Sequence, residues 1–161
     1  MTIELPGFLT EALSYIGMDW PQADEDKLFD AAGAWSTYAG QLRDVESSTS
    51  AAAADIWGAN TGAAVDAFQT WWDANPKQHL TDDASGSEAI GTILTIFGTA
   101  TIALKGVYLV QLGILAATLI QAVATAFVTF GASLAEIPIV SQIVRQAIET
   151  AIENMIFEIL F

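Results

Sequence analysis

The residues that could support chemistry in this chain are one histidine, one acidic triplet and scattered serines. His79 has no second histidine and no cysteine to complete a zinc site. Neighbouring carboxylates at Asp24, Glu25 and Asp26 would point apart on a helix, so they are interpreted as electrostatic support for a helix start. The serines have no evident base, and no glycine-rich phosphate loop is present. We therefore expect a segment that is not an enzyme and holds no metal ion or cofactor.

The charge of the chain argues against one large class of partners. Nineteen acidic residues against five basic ones give a net charge of −14 over 161 residues, which argues against nucleic-acid binding. The amino-terminal residues 1–19 include three acidic and no basic residues, unlike a cleavable signal peptide. If the protein leaves the cytoplasm, it therefore needs a route that reads a folded element instead of a signal peptide.

A tryptophan–glycine segment predicts a turn between two helices. The segment from Trp57 to Gly62 reads WGANTG, and Phe68 and Trp72 follow at helical spacing. Pro76 is predicted to end this following helix. The indole of Trp57 is predicted to be exposed for recognition by a partner, with packing inside the turn as the alternative.

An apolar heptad stripe precedes the turn. Seven of its nine positions are apolar or alanine, at 4-3-4-3 spacing: Leu28, Ala32, Trp35, Ala39, Leu42, Glu46, Thr49, Ala53 and Ile56. The pattern predicts a helix that starts near Pro21 and packs antiparallel on the next helix. Leu28, Trp35 and Leu42 are expected in the hairpin core. The serine-rich run 47–50 predicts a loose or kinked turn.

The second half of the chain is strongly apolar. Thr81 is predicted to cap a helix that continues to Gly131, and residues 106–135 carry no charge. A break at Pro138 precedes a last helix whose apolar pairs recur about every four residues, so its stripe drifts around the helix. That helix is expected to contact the long helix at one end. At the other end it is expected to contact a second chain or sequence beyond this segment.

Six residues around the turn carry a family resemblance: Trp57, Gly58, Gly62, Phe68, Trp72 and Asp73. They resemble the WXG superfamily, small helical hairpins exported by type VII secretion systems. Ala59 stands where that motif has a glycine, so Gly58 and Gly62 take its place. A longer set resembles the WXG-like N-terminal domain of actinobacterial polymorphic toxins: Trp20-Pro21, Asp24-Glu25-Asp26, Leu28, Ala34-Trp35, Ala39 and Leu42.

The resemblance implies an all-α fold, a WXG-type hairpin elaborated with long apolar helices into a helical bundle. We expect residues 1–80 to hold the N-terminal helix and hairpin, and residues 81–161 to hold the long apolar and C-terminal helices, within a longer protein. The resemblance also implies a secretion-targeting adaptor of a polymorphic toxin whose toxic domain lies downstream. Such a protein is expected to be secreted by a route independent of a signal peptide, or to be associated with the cell envelope. The residues implied in recognition by the secretion machinery, or by a small WXG-type partner hairpin, are Trp57, Gly58, Gly62, Phe68 and Trp72.

The uncharged residues 106–135 are also compatible with a function in a membrane. Residues 106–135 exceed the roughly 20 needed to cross a bilayer, and small residues four apart, such as Gly113 and Ala117, suit helix packing in lipid. The flanks lack the Lys and Arg clusters of a typical span. The alternatives are a soluble bundle and a membrane-inserting or pore-forming module that delivers a C-terminal toxin. Self-association into a homo-oligomer also remains open.

Overall fold

The chain folds into α-helices joined by short connections. The computed structural model describes residues 2–126 and 132–160, and no strand occurs among them. Two short 3-10 turns, Gly7–Leu9 and Ala132–Ala135, precede helices. The α-helices are α1 (Thr10–Ile16), α2 (Glu25–Ala59), α3 (Ala63–Ala74), α4 (Pro76–Ala126) and α5 (Glu136–Leu160). The all-α class predicted from the sequence is confirmed.

Helix α2 begins later than the sequence predicts and continues without interruption to Ala59. It starts at Glu25, not near Pro21, with acidic residues in its first turn, where the helix dipole favours them. The predicted kink at residues 47–50 is wrong, because α2 is one continuous helix of 35 residues. The hydroxyls of Ser48 and Thr49 donate to the carbonyl oxygen of Val45, at 3.1 and 2.5 Å, so these side chains bond back to the helix instead of breaking it.

The long helix α4 also begins earlier than predicted. Asn75 interrupts the helical run, and Pro76 occupies the first position of α4, where a proline is tolerated because that N–H needs no intrahelical partner. The predicted cap at Thr81 is wrong. Thr81 lies inside α4, and its hydroxyl donates to the carbonyl oxygen of Lys77 at 2.9 Å. The predicted end of this helix at Gly131 lies outside the described residues.

Residues 27–95 form one compact unit in which α2 faces α3 and the first part of α4. Its buried residues are mostly small: Ala32, Ala39, Ala53, Ala84 and Ser87. We call the alanines of this set the alanine seam. A Cβ atom on Gly91 would lie 3.1 Å from the carbonyl oxygen of Ala32, so the two helix backbones approach too closely for a larger side chain there.

Trp35 does not occupy the core position that the sequence predicts. It is 38% exposed, and its ring lies edge-on to that of Tyr38 at 6.2 Å between centroids. The small residues of the alanine seam bring the helix axes close together, which leaves no room for an indole between them. Leu28 and Leu42, the other two residues predicted for the hairpin core, are half-buried.

The second compact unit joins the two ends of the chain, Met1–Asp26 and Ile96–Phe161. Its core contains residues of α1, α4 and α5: Leu9, Ala12, Ile16, Tyr108, Leu112, Leu115, Val144 and Ile148. The predicted packing of the last helix on the long helix is therefore observed in this core. The units divide the chain differently from the expected 1–80 and 81–161, because α1 shares a core with residues of α4 and α5.

An ion pair lies buried in this second unit. Lys105 is 1% exposed and Glu25 is 2% exposed. The Nζ of Lys105 donates to the Glu25 carboxylate at 2.7 Å and to the carbonyl oxygen of Ala23 at 2.8 Å, and the backbone N–H of Ile3 donates to the other carboxylate oxygen. The only charge between residues 89 and 135 is thus neutralised by the N-terminal segment. This arrangement ties that segment to α4.

Candidate functional site

Four aromatic side chains gather beside the turn between α2 and α3. The ring of Phe68 lies at their centre, with centroid distances of 5.9 Å to Trp57, 6.2 Å to Trp71 and 6.4 Å to Trp72. We call these four residues the turn cluster. Aromatic pairs at such distances attract one another beyond the area that they bury. The cluster therefore ties the end of α2 to α3.

The backbone of the turn depends on Gly62 more than on Gly58. Gly62 has φ +126°, a conformation that other residues rarely adopt, and its carbonyl oxygen accepts from the N–H groups of Val65 and Asp66 as α3 begins. Gly58 lies inside α2, which continues to Ala59, and a Cβ there would meet no atom within 4 Å. Gly62 thus sets the chain reversal, whereas Gly58 leaves open space on the surface.

The exposure of the cluster differs from the sequence prediction. Trp57, Phe68 and Trp72 are half-buried, whereas Trp71 is 53% exposed. The indole Nε1–H of Trp72 donates to the hydroxyl of Ser50 at 3.2 Å, which fixes that ring against α2. Trp57 therefore both packs within the turn and keeps part of its surface free. Trp71 presents more aromatic surface. Because Trp71 and Trp72 are neighbours on one helix and point about 100° apart, the sequence indicates only that one of the two must turn away from α2.

The surroundings of the turn cluster are acidic. Asp55, Asp66 and Asp73 are exposed on the helices that carry the cluster, and Lys77 contacts Asp73 at 3.5 Å. His79 is exposed on α4. Among the described residues no three His, Cys, Asp or Glu side chains are grouped to hold a metal ion. The arrangement can bind a partner through aromatic surface.

We expect alanine substitutions at the two turn glycines to have opposite effects on stability. Gly62→Ala forces a side chain into positive φ and should lower the free energy of unfolding by roughly 1–3 kcal/mol. Gly58→Ala, the matched control, lies in a helix with open space around it and should raise that free energy by up to about 1 kcal/mol. Urea unfolding followed by circular dichroism measures both. Equal midpoints for the two variants would contradict the distinct roles assigned to these glycines.

One comparison with known proteins identifies a family that covers most of the chain. A family model described as "WXG100 like domain" matches residues 5–147, which include α1 to α4 and the first half of α5. The match contains both the turn cluster and the ion pair of Glu25 and Lys105. No curated protein and no solved structure matches the chain.

Proposed function

We propose, from the premise that this chain belongs to the family of WXG100-like domains, that it is a non-enzymatic adaptor for type VII secretion. Family membership makes it a helical protein related to that pathway. The finer proposal is that the hairpin of α2 and α3 is bound by the secretion machinery or by a small WXG-type partner hairpin. Its destination would be the cell envelope or the medium.

One observation carries this proposal, namely the turn cluster on the family hairpin. Trp71 and the free edge of Trp57 offer aromatic surface at the end of a rigid helix pair, and tryptophans are the side chains most enriched at binding hot spots. The ring of Phe68 packs against both of them, and Trp72 packs on Phe68 and donates a hydrogen bond to Ser50 of α2. A partner would therefore meet a surface that is already ordered, which lowers the entropic cost of binding.

We further propose that the exported protein is a polymorphic toxin and that this segment is its targeting domain. The longer resemblance, from Trp20-Pro21 through Leu42 and the apolar helices, supports this proposal. The toxic activity would then belong to sequence downstream of this segment. Mass spectrometry of the protein secreted from its natural host tests the point, because it would show whether a longer chain containing this segment leaves the cell.

The adaptor proposal is tested by secretion from paired strains with and without a functional type VII system. Secreted and cell-associated protein are quantified by immunoblot. Loss of the secreted fraction only in the deficient strain, with equal synthesis, is the expected result. Equal secretion from both strains would eliminate the proposal.

A membrane-inserting translocation module is the second candidate, and one observation favours it. By length and composition alone, the helical stretch Ala63–Ala126 is apolar enough to cross a membrane, with a window of mean hydropathy 1.9 in which only 22% of residues are buried. Val110, Ile114 and Ile120 of α4 are exposed. Within α4 after residue 95, Lys105 is the only charge, and it is already neutralised.

If the module inserts, we expect the purified chain to float with liposomes and to release an encapsulated dye. The exposed apolar side chains of α4 would gain from transfer into lipid. Val110→Glu should reduce flotation because it places a charge on that face. Ser85→Glu adds the same charge at an exposed position of α4 before the apolar stretch and serves as the control. A chain that stays with the aqueous fraction at neutral and acidic pH would contradict insertion.

A further inference from the structure

Helix α2 carries a second apolar stripe that the hairpin does not bury. Its members follow 4-3-4-3 spacing along the helix and are half-buried or exposed: Ala31, Trp35, Tyr38, Leu42, Val45, Thr49, Ala52 and Ile56. We call them the outer stripe. Tyr38 is 48% exposed and Val45 is 47% exposed. Such spacing over four turns or more is the pattern by which one helix packs along another.

The outer stripe and the α2 residues of the alanine seam lie on adjacent but distinct faces of α2. Seam residues Ala32, Ala39 and Ala53 each follow an outer-stripe residue directly, so the seam is rotated by about 100° from the stripe. The seam uses the small side chains for contact inside the hairpin. The large side chains of the outer stripe remain accessible for contact with another molecule.

Helix α4 extends the same apolar face. Arg43 and Glu88 form an ion pair across the hairpin. Val45 lies two residues after Arg43, and Ile90 lies two residues after Glu88, so each points about 160° away from its paired neighbour. Val45 and Ile90 therefore lie toward the hairpin face opposite the ion pair. Ile93, 51% exposed, points about 140° from Glu88 and joins them.

An open groove lies along the outer stripe. It is lined by Ala31, Ala34, Trp35 and Tyr38 and has a volume of about 490 Å³. Its aromatic residues, Trp35 and Tyr38, pack edge to face. A hole bounded by four residues of one helix is the feature into which a residue of a partner helix inserts.

Acidic residues border the outer stripe on the side away from the alanine seam. Asp30, Asp44 and Asp55 each come directly before a stripe residue. They are therefore rotated by about 100° from the stripe, in the direction opposite to the seam. All three are exposed. Flanking charges of this kind select the partner of an apolar helix seam, and like charges oppose pairing.

We propose that the outer stripe binds an amphipathic helix of another protein whose apolar heptad face is flanked by Lys and Arg. The proposal rests on the partner-binding function proposed above and names the chemistry of that partner. A second copy of this chain is a poor occupant because it would bring two rows of aspartates together in a chain of net charge −14. A basic helix matches both the apolar face and its acidic border.

The test uses two dye-labelled peptides of equal length and the full chain. Both peptides carry Ile and Leu at the core heptad positions, and one carries Lys where the other carries Glu at the flanking positions. Fluorescence anisotropy should show binding of the Lys peptide, weaker at 0.5 M salt, and none of the Glu peptide. Val45→Glu should weaken Lys-peptide binding by about tenfold or more. Ser47→Glu adds the same charge on the ion-pair side and should change binding little.

Charge reversal separates the acidic border from the apolar face. The triple variant Asp30→Lys, Asp44→Lys, Asp55→Lys keeps the outer stripe and should bind the Glu peptide instead. Equal binding of both peptides to the wild type, or unchanged binding by Val45→Glu, would overturn the proposal. A wild-type dimer in light scattering that Val45→Glu dissociates would overturn it as well. Trp57→Ala should leave peptide binding intact, so failure of the export proposal is distinguishable from failure of this one.

Discussion

Replacement of Trp57 by alanine is expected to abolish type VII export while the protein remains folded. The indole of Trp57 packs on Phe68 at 5.9 Å between ring centroids and keeps part of its surface exposed. Its removal takes away recognition surface and a contact with Phe68, the ring on which Trp71 stacks. The alanine seam and the second unit do not include Trp57, so the helices should persist. Secreted protein, quantified against cell-associated protein, measures the effect.

Two further variants make this result specific. Trp57→Phe keeps an aromatic contact with Phe68 and should retain a substantial part of export. Phe8→Ala removes a ring that is 76% exposed outside the hairpin and should leave export unchanged. Circular dichroism and thermal unfolding of each purified variant give the control for folding. Normal export of a folded Trp57→Ala variant would refute the role of the turn cluster.

Loss of the buried ion pair is expected to destabilise the protein most at neutral pH. The hydrogen bond from Lys105, supported by the N–H of Ile3, lowers the pKa of Glu25 from its ordinary 4.5 to about 2. A lowered folded-state pKa stabilises the fold fully above about pH 4.5, and this stabilisation is lost as pH falls toward 2. Glu25→Gln should therefore unfold at lower temperature at pH 7 and lose less further stability in acid than the wild type.

Thermal unfolding at pH 7, 4 and 2.5 measures this difference. Glu4→Gln changes the same charge at an exposed position of the same segment and should follow the wild type. The double variant Glu25→Gln, Lys105→Met should recover part of the lost stability because it leaves no unpaired buried charge. A Glu25→Gln variant that matches the wild type at pH 7 would show that the pair contributes nothing to the fold.

Local chemistry accounts for the parts of this fold that the sequence predicts well. Helical periodicity before and after Gly62 is a property of neighbouring residues, and a glycine is needed where the chain reverses with positive φ. The separation of α3 from α4 at Pro76 follows from the missing N–H of proline. The errors at Pro21 and Thr81 concern helix starts, where several residues compete to begin the helix.

The position of Trp35 shows that helical periodicity alone does not predict which face of α2 is buried. One heptad pattern in α2 can be drawn through Ala32 and Ala39. A second pattern, rotated by about 60–100° around the helix, can be drawn through Trp35 and Tyr38. Both satisfy the periodicity of a helix. The choice depends on how closely α4 approaches, and that distance is decided by Gly91 of the opposite helix. The outer stripe could therefore be recognised only after the seam was known.

Residue types within a few turns of one another are sufficient to predict the helical class, the hairpin turn and the family. Packing between distant segments decides which α2 face is buried, which turn tryptophan is most exposed, and where Lys105 finds its counter-charge. Glu25 lies 80 residues from Lys105, and no local pattern links them. Such pairings form when long stretches of chain close around a common core and bring together residues that are distant in the sequence. The sequence of neither segment predicts the pair.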